Sequence, residues 1–83
     1  MNTFSKINLR NVVIMVDEFD QIEQAEFQHG GMWEDYHLGE TCGDVGKYYN
    51  PTHHIYTEIP PVDVVGVACS SWTLNTTTGT YTA

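Results

Sequence analysis

Apolar residues are isolated at first and then continuous over the first sixteen residues of the chain. Phe4, Ile7 and Leu9 stand among polar neighbours, whereas Val12–Val16 is an unbroken apolar run. A short run of mostly β-branched residues is typical of a strand that is buried on both faces. We therefore predict β structure over Thr3–Val16, with Val12–Val16 as the central strand of a sheet.

A helix is predicted directly after this run. Apolar residues recur there at three-residue spacing, at Phe19, Ile22 and Ala25. Asp17 is a candidate N-cap, because its carboxylate can accept a hydrogen bond from an N–H group of the first turn. Gly30-Gly31 supplies a stop signal, since glycine readily adopts the left-handed conformation that ends helices. Together these signals predict a helix from about Glu18 to Gln28.

The same glycine pair allows a competing interpretation. Gly30-Gly31 is also a suitable two-residue hairpin turn, because both glycines can take positive φ. Glu26–His29 and Met32–Leu38 would then be the paired strands. We favour a helix that ends near Gln28, with Met32–Leu38 as a separate strand.

The second half of the chain carries further strand patterns. Gly39–Gly46 is rich in glycine and is predicted to be a loop. His54–Ile59 alternates, so Ile55, Thr57 and Ile59 would share one face of a strand that ends at the two following prolines. Val62–Cys69 is another run rich in β-branched residues and is predicted to form a strand.

The C-terminal segment is rich in threonine, a good strand former, and contains the fair turn Thr78-Gly79. We predict a terminal hairpin or edge strand there. The whole pattern indicates an α+β fold: a small, mostly antiparallel β-sheet domain with one short helix.

Length and charge restrict what such a domain can do. The 83 residues have room for a single domain, spanning residues 1–83, and carry eleven acidic residues against three basic ones. A net charge of −8 argues against direct binding to nucleic acid or to an anionic membrane. Since no apolar run approaches the roughly 18 residues of a membrane span and no secretory signal is visible, we expect a cytoplasmic protein, in the host cell if it is viral.

The acidic residues are concentrated in the middle of the chain. Nine of the eleven lie between Asp17 and Asp44, and no Lys or Arg occurs between Asn11 and Gly46. Like charges repel one another, so folding this block costs free energy unless something outside compensates. The block is either a solvated surface that keeps the protein soluble or a docking surface for a basic partner.

Aromatic residues within the block strengthen the second interpretation, because binding hot spots are enriched in Trp and Tyr. The predicted partner-binding residues combine these aromatic side chains with the neighbouring carboxylates. They are Glu23, Glu26, Phe27, Trp33, Glu34, Asp35, Tyr36, Glu40 and Asp44.

No catalytic or cofactor site is predicted. Cys42 and Cys69 have twenty-six residues between them, without the spacing of a redox or zinc motif, and a disulfide between them is geometrically possible. The four histidines show no recognised ligand spacing with Cys42; they are His29, His37, His53 and His54. The carboxylate pairs are too numerous to single out an acid and base, so we expect a protein that is not an enzyme and holds no metal or cofactor.

Two functions remain as hypotheses. The first is an acidic interaction protein that binds a basic surface on a partner, for example a nucleic-acid-mimicking inhibitor carried by a virus or mobile element against a nucleic-acid-binding protein. The second is a structural subunit of a virion or filament that assembles, with itself or a neighbour, through β-strand contacts.

Overall fold

The computed structural model describes residues 1–60 and 71–82. The predicted strand Val62–Cys69 lies outside these residues. In the described part of the chain, an antiparallel three-stranded sheet contains β1 (Asn2–Ile7), β2 (Val13–Phe19) and β3 (Met32–Asp35), in the order β2-β1-β3.

The prediction that Val12–Val16 forms the central strand is wrong, because β1 is central and β2 is its neighbour at the edge. The β-branched run is not buried on both faces: Val13 is buried, but Ile14 is 48% exposed. A register irregularity between Lys6 and Ile7 leaves Ile14 without a partner on β1, so Val13 and Val16 face the same core. At the edge of β2 that faces away from β1, the N–H group of Val13 donates to the backbone carbonyl of Lys47 at 2.9 Å.

The helix α1 spans Ile22–His29 and is shorter than predicted at its N-terminus. Residues 18 and 19 continue β2, so Asp17 is not the N-cap. Gln21 occupies that position, and the Gln24 side chain accepts the N–H groups of Asp20 and Gln21 at 3.0 and 3.1 Å. Gly30 ends the helix with φ 66° and donates to the Glu26 carbonyl, which rules out the alternative hairpin.

The three-stranded sheet has a separate core on each face. On the helix side, the buried residues are Phe4, Ala25 and Trp33, with Met15, Phe19 and Ile22 packed around them. On the other side they are Ile7, Val13, Leu38 and Tyr56, with Val16 and Tyr49 packed around them. The alternation of side chains along β1 supplies both cores, since Phe4 enters the first and Ile7 the second.

Two short ribbons cover the face of the sheet opposite the helix. β4 (His37–Leu38) pairs with β5 (Thr41–Cys42), and β6 (Tyr48–Asn50) pairs with β7 (Ile55–Thr57). The predicted strand Met32–Leu38 is therefore split at Tyr36, and the predicted loop Gly39–Gly46 contains a strand.

Strand β7 does not follow the predicted alternation. Ile55, Tyr56 and Thr57 are all buried, whereas Ile59 is 54% exposed. The reason is that other parts of the fold cover β7: the Tyr56 side chain enters the core opposite the helix, and Gly79 lies against the backbone of Tyr56 and Thr57.

The predicted terminal hairpin is confirmed as the antiparallel pair β8 (Thr73–Asn75) and β9 (Thr80–Thr82). Gly79 lies in its turn with φ 72° and approaches the Tyr56 backbone so closely that a Cβ would collide with it. The fold class is confirmed: small antiparallel sheets with one short helix. Within the described residues, no helix is long and apolar enough to span a membrane.

Candidate functional surfaces

Eight of the nine predicted partner-binding residues fall on two separate surfaces of the fold. Glu23, Glu26 and Phe27 are on α1 and, with Gln24 and Gln28, form what we call the helix surface. The others lie on β3 or in the β4–β5 region that follows it. This second group, the strand surface, consists of Glu34, Asp35, Tyr36, Glu40 and Asp44.

The helix surface is exposed because α1 buries its opposite side. Ala25 is fully buried against the sheet, and Ile22 packs beside it. Glu23 and Phe27 are one helical turn apart and therefore project together into solvent. Phe27 is 96% exposed, and it lines a shallow open depression with Glu23, Gln24 and Gln28.

The carboxylates of this surface are not used by the rest of the fold. In residues 1–60 and 71–82, the ion pair that forms joins His29 to Asp17, with Nε2 and Oδ2 3.8 Å apart. The Glu26 backbone carbonyl accepts a hydrogen bond from Gly30, but its side chain extends into solvent. The helix surface thus combines an exposed phenyl ring with two carboxylates that form no ion pair within the described residues.

The strand surface is organised by Tyr36. Its hydroxyl donates a short hydrogen bond to Asp44 Oδ1, its N–H donates to the Thr3 carbonyl, and its carbonyl accepts the Gly43 N–H at 2.8 Å. The bond to Asp44 is the main reason that the pKa of the Tyr36 phenol is raised to about 12, with burial and the charge of Asp44 adding to it. Asp44 is therefore partly committed to holding the loop against β3.

Glu34 and Asp35 are also engaged with their neighbours. Glu34 Oε1 accepts the Asp35 N–H at 3.0 Å, and its charge adds to burial in raising the pKa of Tyr49. The Asp35 carbonyl accepts the Tyr56 hydroxyl at 2.5 Å. Burial is the main reason that the pKa of Tyr56 is raised to about 12. Glu40, at the β4–β5 turn, is exposed.

Trp33 does not belong to either surface. Only 7% of it is exposed, its indole N–H donates to the Gly30 carbonyl at 2.9 Å, and its ring meets Phe19 edge to face. Neighbouring positions on a strand face opposite ways, and position 33 faces the helix. The prediction that Trp33 is a surface anchor is corrected accordingly: its ring is part of the core.

The histidines occupy different environments. His29 lies beside Asp17, and His54 Nδ1 is 3.3 Å from the Tyr49 hydroxyl. His37 and Cys42 are directly opposite each other on β4 and β5, with Nδ1 and Sγ 3.4 Å apart. Among the described residues, no group of three or more His, Cys, Asp or Glu side chains is placed to hold a metal ion. Cys69, and with it the question of a disulfide, lies outside them.

The pairing of His37 with Cys42 was missed because Gly39–Gly46 was predicted to be a single loop. A local signal for it exists: Gly39-Glu40 is a two-residue connection beginning with glycine, and Gly39 has φ 61°. Such a connection closes a tight hairpin and brings the residues before and after it into register.

Comparisons of this chain with protein-family models, with curated proteins and with solved structures found no match. Its function is therefore inferred from its own surfaces.

Proposed function

We propose that this protein is a non-enzymatic acidic binding protein whose helix surface docks on a basic surface of a protein partner. The observation that carries the proposal is Phe27, which is 96% exposed on the same helix as Glu23 and Glu26, two carboxylates that form no ion pair within the described residues. The side chain of Lys6 lies at the C-terminal end of α1, where its Nζ donates to the His29 carbonyl at 3.2 Å, but within the described residues neither Glu23 nor Glu26 forms an ion pair.

Burial of the Phe27 ring would provide the affinity. Removing a phenylalanine side chain from water contributes about 1.5–3 kcal/mol, and aromatic side chains at the centre of an interface act as anchors. The matching partner site is an apolar pocket with Lys or Arg at its edge, because Glu23 lies one helical turn before the ring, Glu26 directly precedes it in sequence, and both need positive charges opposite them.

The strand surface would act differently. Asp44 and Glu34 already bond within the fold, so these groups lose existing contacts if a partner takes them. Their charge still contributes to the field around the protein. A chain with a net charge of −8 attracts a basic partner over distance, which speeds encounter at low salt.

A more specific version of the proposal is that the protein is an inhibitor that imitates nucleic acid. It would be carried by a virus or mobile element and act in the host cytoplasm. Its support is limited to the sign and position of the charge: an acidic block attracts the same lysines and arginines that hold phosphates. This form requires that the captured partner bind nucleic acid and that a DNA or RNA duplex displace the protein from it.

The test is affinity capture from the native host with tagged variants, followed by mass spectrometry and direct binding measurements on the captured protein. We expect a basic partner whose affinity falls at least about tenfold with Phe27→Ser and falls with rising salt. Leu9→Ser is the matched control, since Leu9 is 97% exposed in the turn between β1 and β2, outside the helix surface. Equal loss in both variants, or no loss in either, would exclude the helix surface.

Charge is tested separately from the phenyl ring. Glu23→Gln with Glu26→Gln removes two charges from the helix surface, and Glu18→Gln with Glu40→Gln removes two exposed charges from elsewhere in the block. We expect the first pair to weaken binding more than the second. Equal weakening would mean that only the overall field matters.

The alternative function, a structural subunit, is favoured by the Thr-rich hairpin, because β8 and β9 pair with each other within the described residues and form a separate ribbon. The edges of the three-stranded sheet argue the other way. Asp17 Oδ1 accepts the Glu18 N–H at 2.8 Å and Glu34 Oε1 accepts the Asp35 N–H, so carboxylates cover backbone donors that another strand would use. Size-exclusion chromatography at low and high salt distinguishes the two functions: a large homo-oligomer indifferent to salt would favour the subunit.

A further inference from the structure

His37 and Cys42 form the strongest unassigned cluster of metal-ligating side chains in the described residues. They are cross-strand partners on the β4–β5 ribbon, where His37 is exposed and Cys42 is half-buried. The two-residue turn between the strands fixes their register, so the two side chains are held together by the backbone rather than by chance proximity of loops.

Their separation matches that of two ligands on one tetrahedral zinc ion. Zinc binds cysteine sulfur at about 2.3 Å and histidine nitrogen at about 2.0 Å, which places the two ligand atoms about 3.5 Å apart at a tetrahedral angle. His37 Nδ1 and Cys42 Sγ are 3.4 Å apart. Thiolate and imidazole together select zinc over magnesium or calcium, which prefer oxygen ligands.

We propose that two copies of this chain share one Zn²⁺ ion, each copy supplying Cys42 Sγ and His37 Nδ1. The described part of a single chain offers no third ligand of the His, Cys, Asp or Glu type beside this pair. Two copies related by a twofold axis complete a closed Cys₂His₂ set, which is a standard structural zinc site.

The surroundings of the pair suit this role. The Tyr36 ring meets the His37 ring edge to face, with the centroids 4.8 Å apart, so it can hold the imidazole in place from outside the metal shell. Binding converts each Cys42 thiol to a thiolate and releases its proton to solvent, so affinity falls as pH is lowered.

Salt distinguishes this assembly from the binding function proposed above, on which it does not depend. Two chains that each carry a charge of −8 repel each other, so salt should strengthen the zinc-linked dimer by screening that repulsion. Capture of a basic partner should instead weaken with salt.

The experiment is a Co²⁺ titration, because Co²⁺ substitutes for Zn²⁺ and reports tetrahedral thiolate ligation by its charge-transfer and visible bands. Mass measurement by light scattering runs in parallel. We expect one Co²⁺ per two chains and a shift from the 9.4 kDa monomer to the dimer, with Mg²⁺ and Ca²⁺ producing neither change. A thiolate spectrum at one Co²⁺ per monomer, or no thiolate spectrum, would overturn the shared site.

Variants locate the ligands. Cys42→Ser should abolish the charge-transfer band and the dimer, and His37→Ala should abolish the tetrahedral pattern of the visible bands and the dimer. His53→Ala, a change at an exposed histidine in the turn between β6 and β7, should preserve the spectrum and the dimer. Cys69→Ser should also preserve both, which assigns the thiolate to Cys42. If His37→Ala keeps the wild-type spectrum, or if Cys69→Ser removes it, the assignment is wrong. The stoichiometry of the unmodified chain decides the proposal even if a variant fails to fold.

Discussion

The helix surface and the strand surface belong to the same acidic block but differ in what their charges do. On the helix surface, Glu23 and Glu26 share α1 with the exposed ring of Phe27 and make no ion pair in the described structure. On the strand surface, Asp44 accepts the Tyr36 hydroxyl and Glu34 accepts a backbone N–H. One group of carboxylates is available to a partner, and the other holds a loop and a strand edge in place.

This difference teaches that charge density alone does not locate a binding surface. A carboxylate that accepts a hydrogen bond inside the fold must give up that bond before it can pair with a partner. The group of acidic residues with the weakest internal engagement is therefore the better candidate. The comparison predicts that changes on the strand surface alter stability and that changes on the helix surface alter binding.

The largest expected effect on stability concerns two aromatic residues of the acidic block, Trp33 and Phe27. Trp33→Ala should destabilise the protein by about 3–5 kcal/mol, because it empties a space in the helix-side core and removes the bond to Gly30. Phe27→Ala should change stability by no more than about 0.5 kcal/mol, because its ring is exposed. Urea denaturation measures both. Similar losses for the two variants would mean that Phe27 is buried in solution.

An intermediate effect is expected from alkaline pH. The pKa values of Tyr36 and Tyr56 are raised from 10.0 to about 12, so the folded protein retains protons that the unfolded chain loses between these values. Their contribution to stability is complete below pH 10 and is lost as the pH rises to about 12. The free energy of unfolding, measured by denaturation across this range, should fall with increasing pH.

Two variants test whether part of the alkaline fall in the free energy of unfolding comes from the strand surface. Tyr36→Phe should cost about 1 kcal/mol at neutral pH, through the lost hydrogen bond, and should make the alkaline decline shallower. Asp44→Asn should also make it shallower, because the bond to Asp44 is the main cause of the raised Tyr36 pKa. Glu40→Gln is the control on the same surface. An unchanged slope in Tyr36→Phe would show that Tyr36 does not hold Asp44 in solution.

Local signals were sufficient for part of this architecture. The stop at Gly30-Gly31 and the turn at Thr78-Gly79 were readable, because a glycine with positive φ determines the chain direction with little help from distant residues. The N-terminus of α1 was misplaced, because β2 extends through Phe19 by pairing with Asn2, and that pairing is remote in sequence.

Features that depend on which face packs against which element were not readable. Trp33 and Glu34 are neighbours on β3, and only the position of α1 decides that the first faces the core beneath the helix. Val12–Val16 carried the composition of a central strand, but its register with β1 and its contact with Lys47 left Ile14 exposed. The contact of Tyr36 with Asp44 likewise depends on the β4–β5 ribbon, which was predicted as loop.

The smallest expected effect on stability comes from removing the two charges of the helix surface, and it tests the difference between the two acidic surfaces most directly. Glu23→Gln with Glu26→Gln should change the free energy of unfolding by no more than about 0.5 kcal/mol, since neither side chain pairs within the described structure. Glu23, in the first turn of α1, interacts favourably with the helix dipole, whereas Glu26, near the last turn, does not, so the two small contributions oppose each other. The thermal midpoint and urea midpoint should stay close to those of the unmodified chain, while affinity for a basic partner falls and its dependence on salt becomes shallower. A loss of stability comparable to that of Tyr36→Phe would show that the helix surface, too, is committed to the fold, and the distinction between the two acidic surfaces would no longer hold.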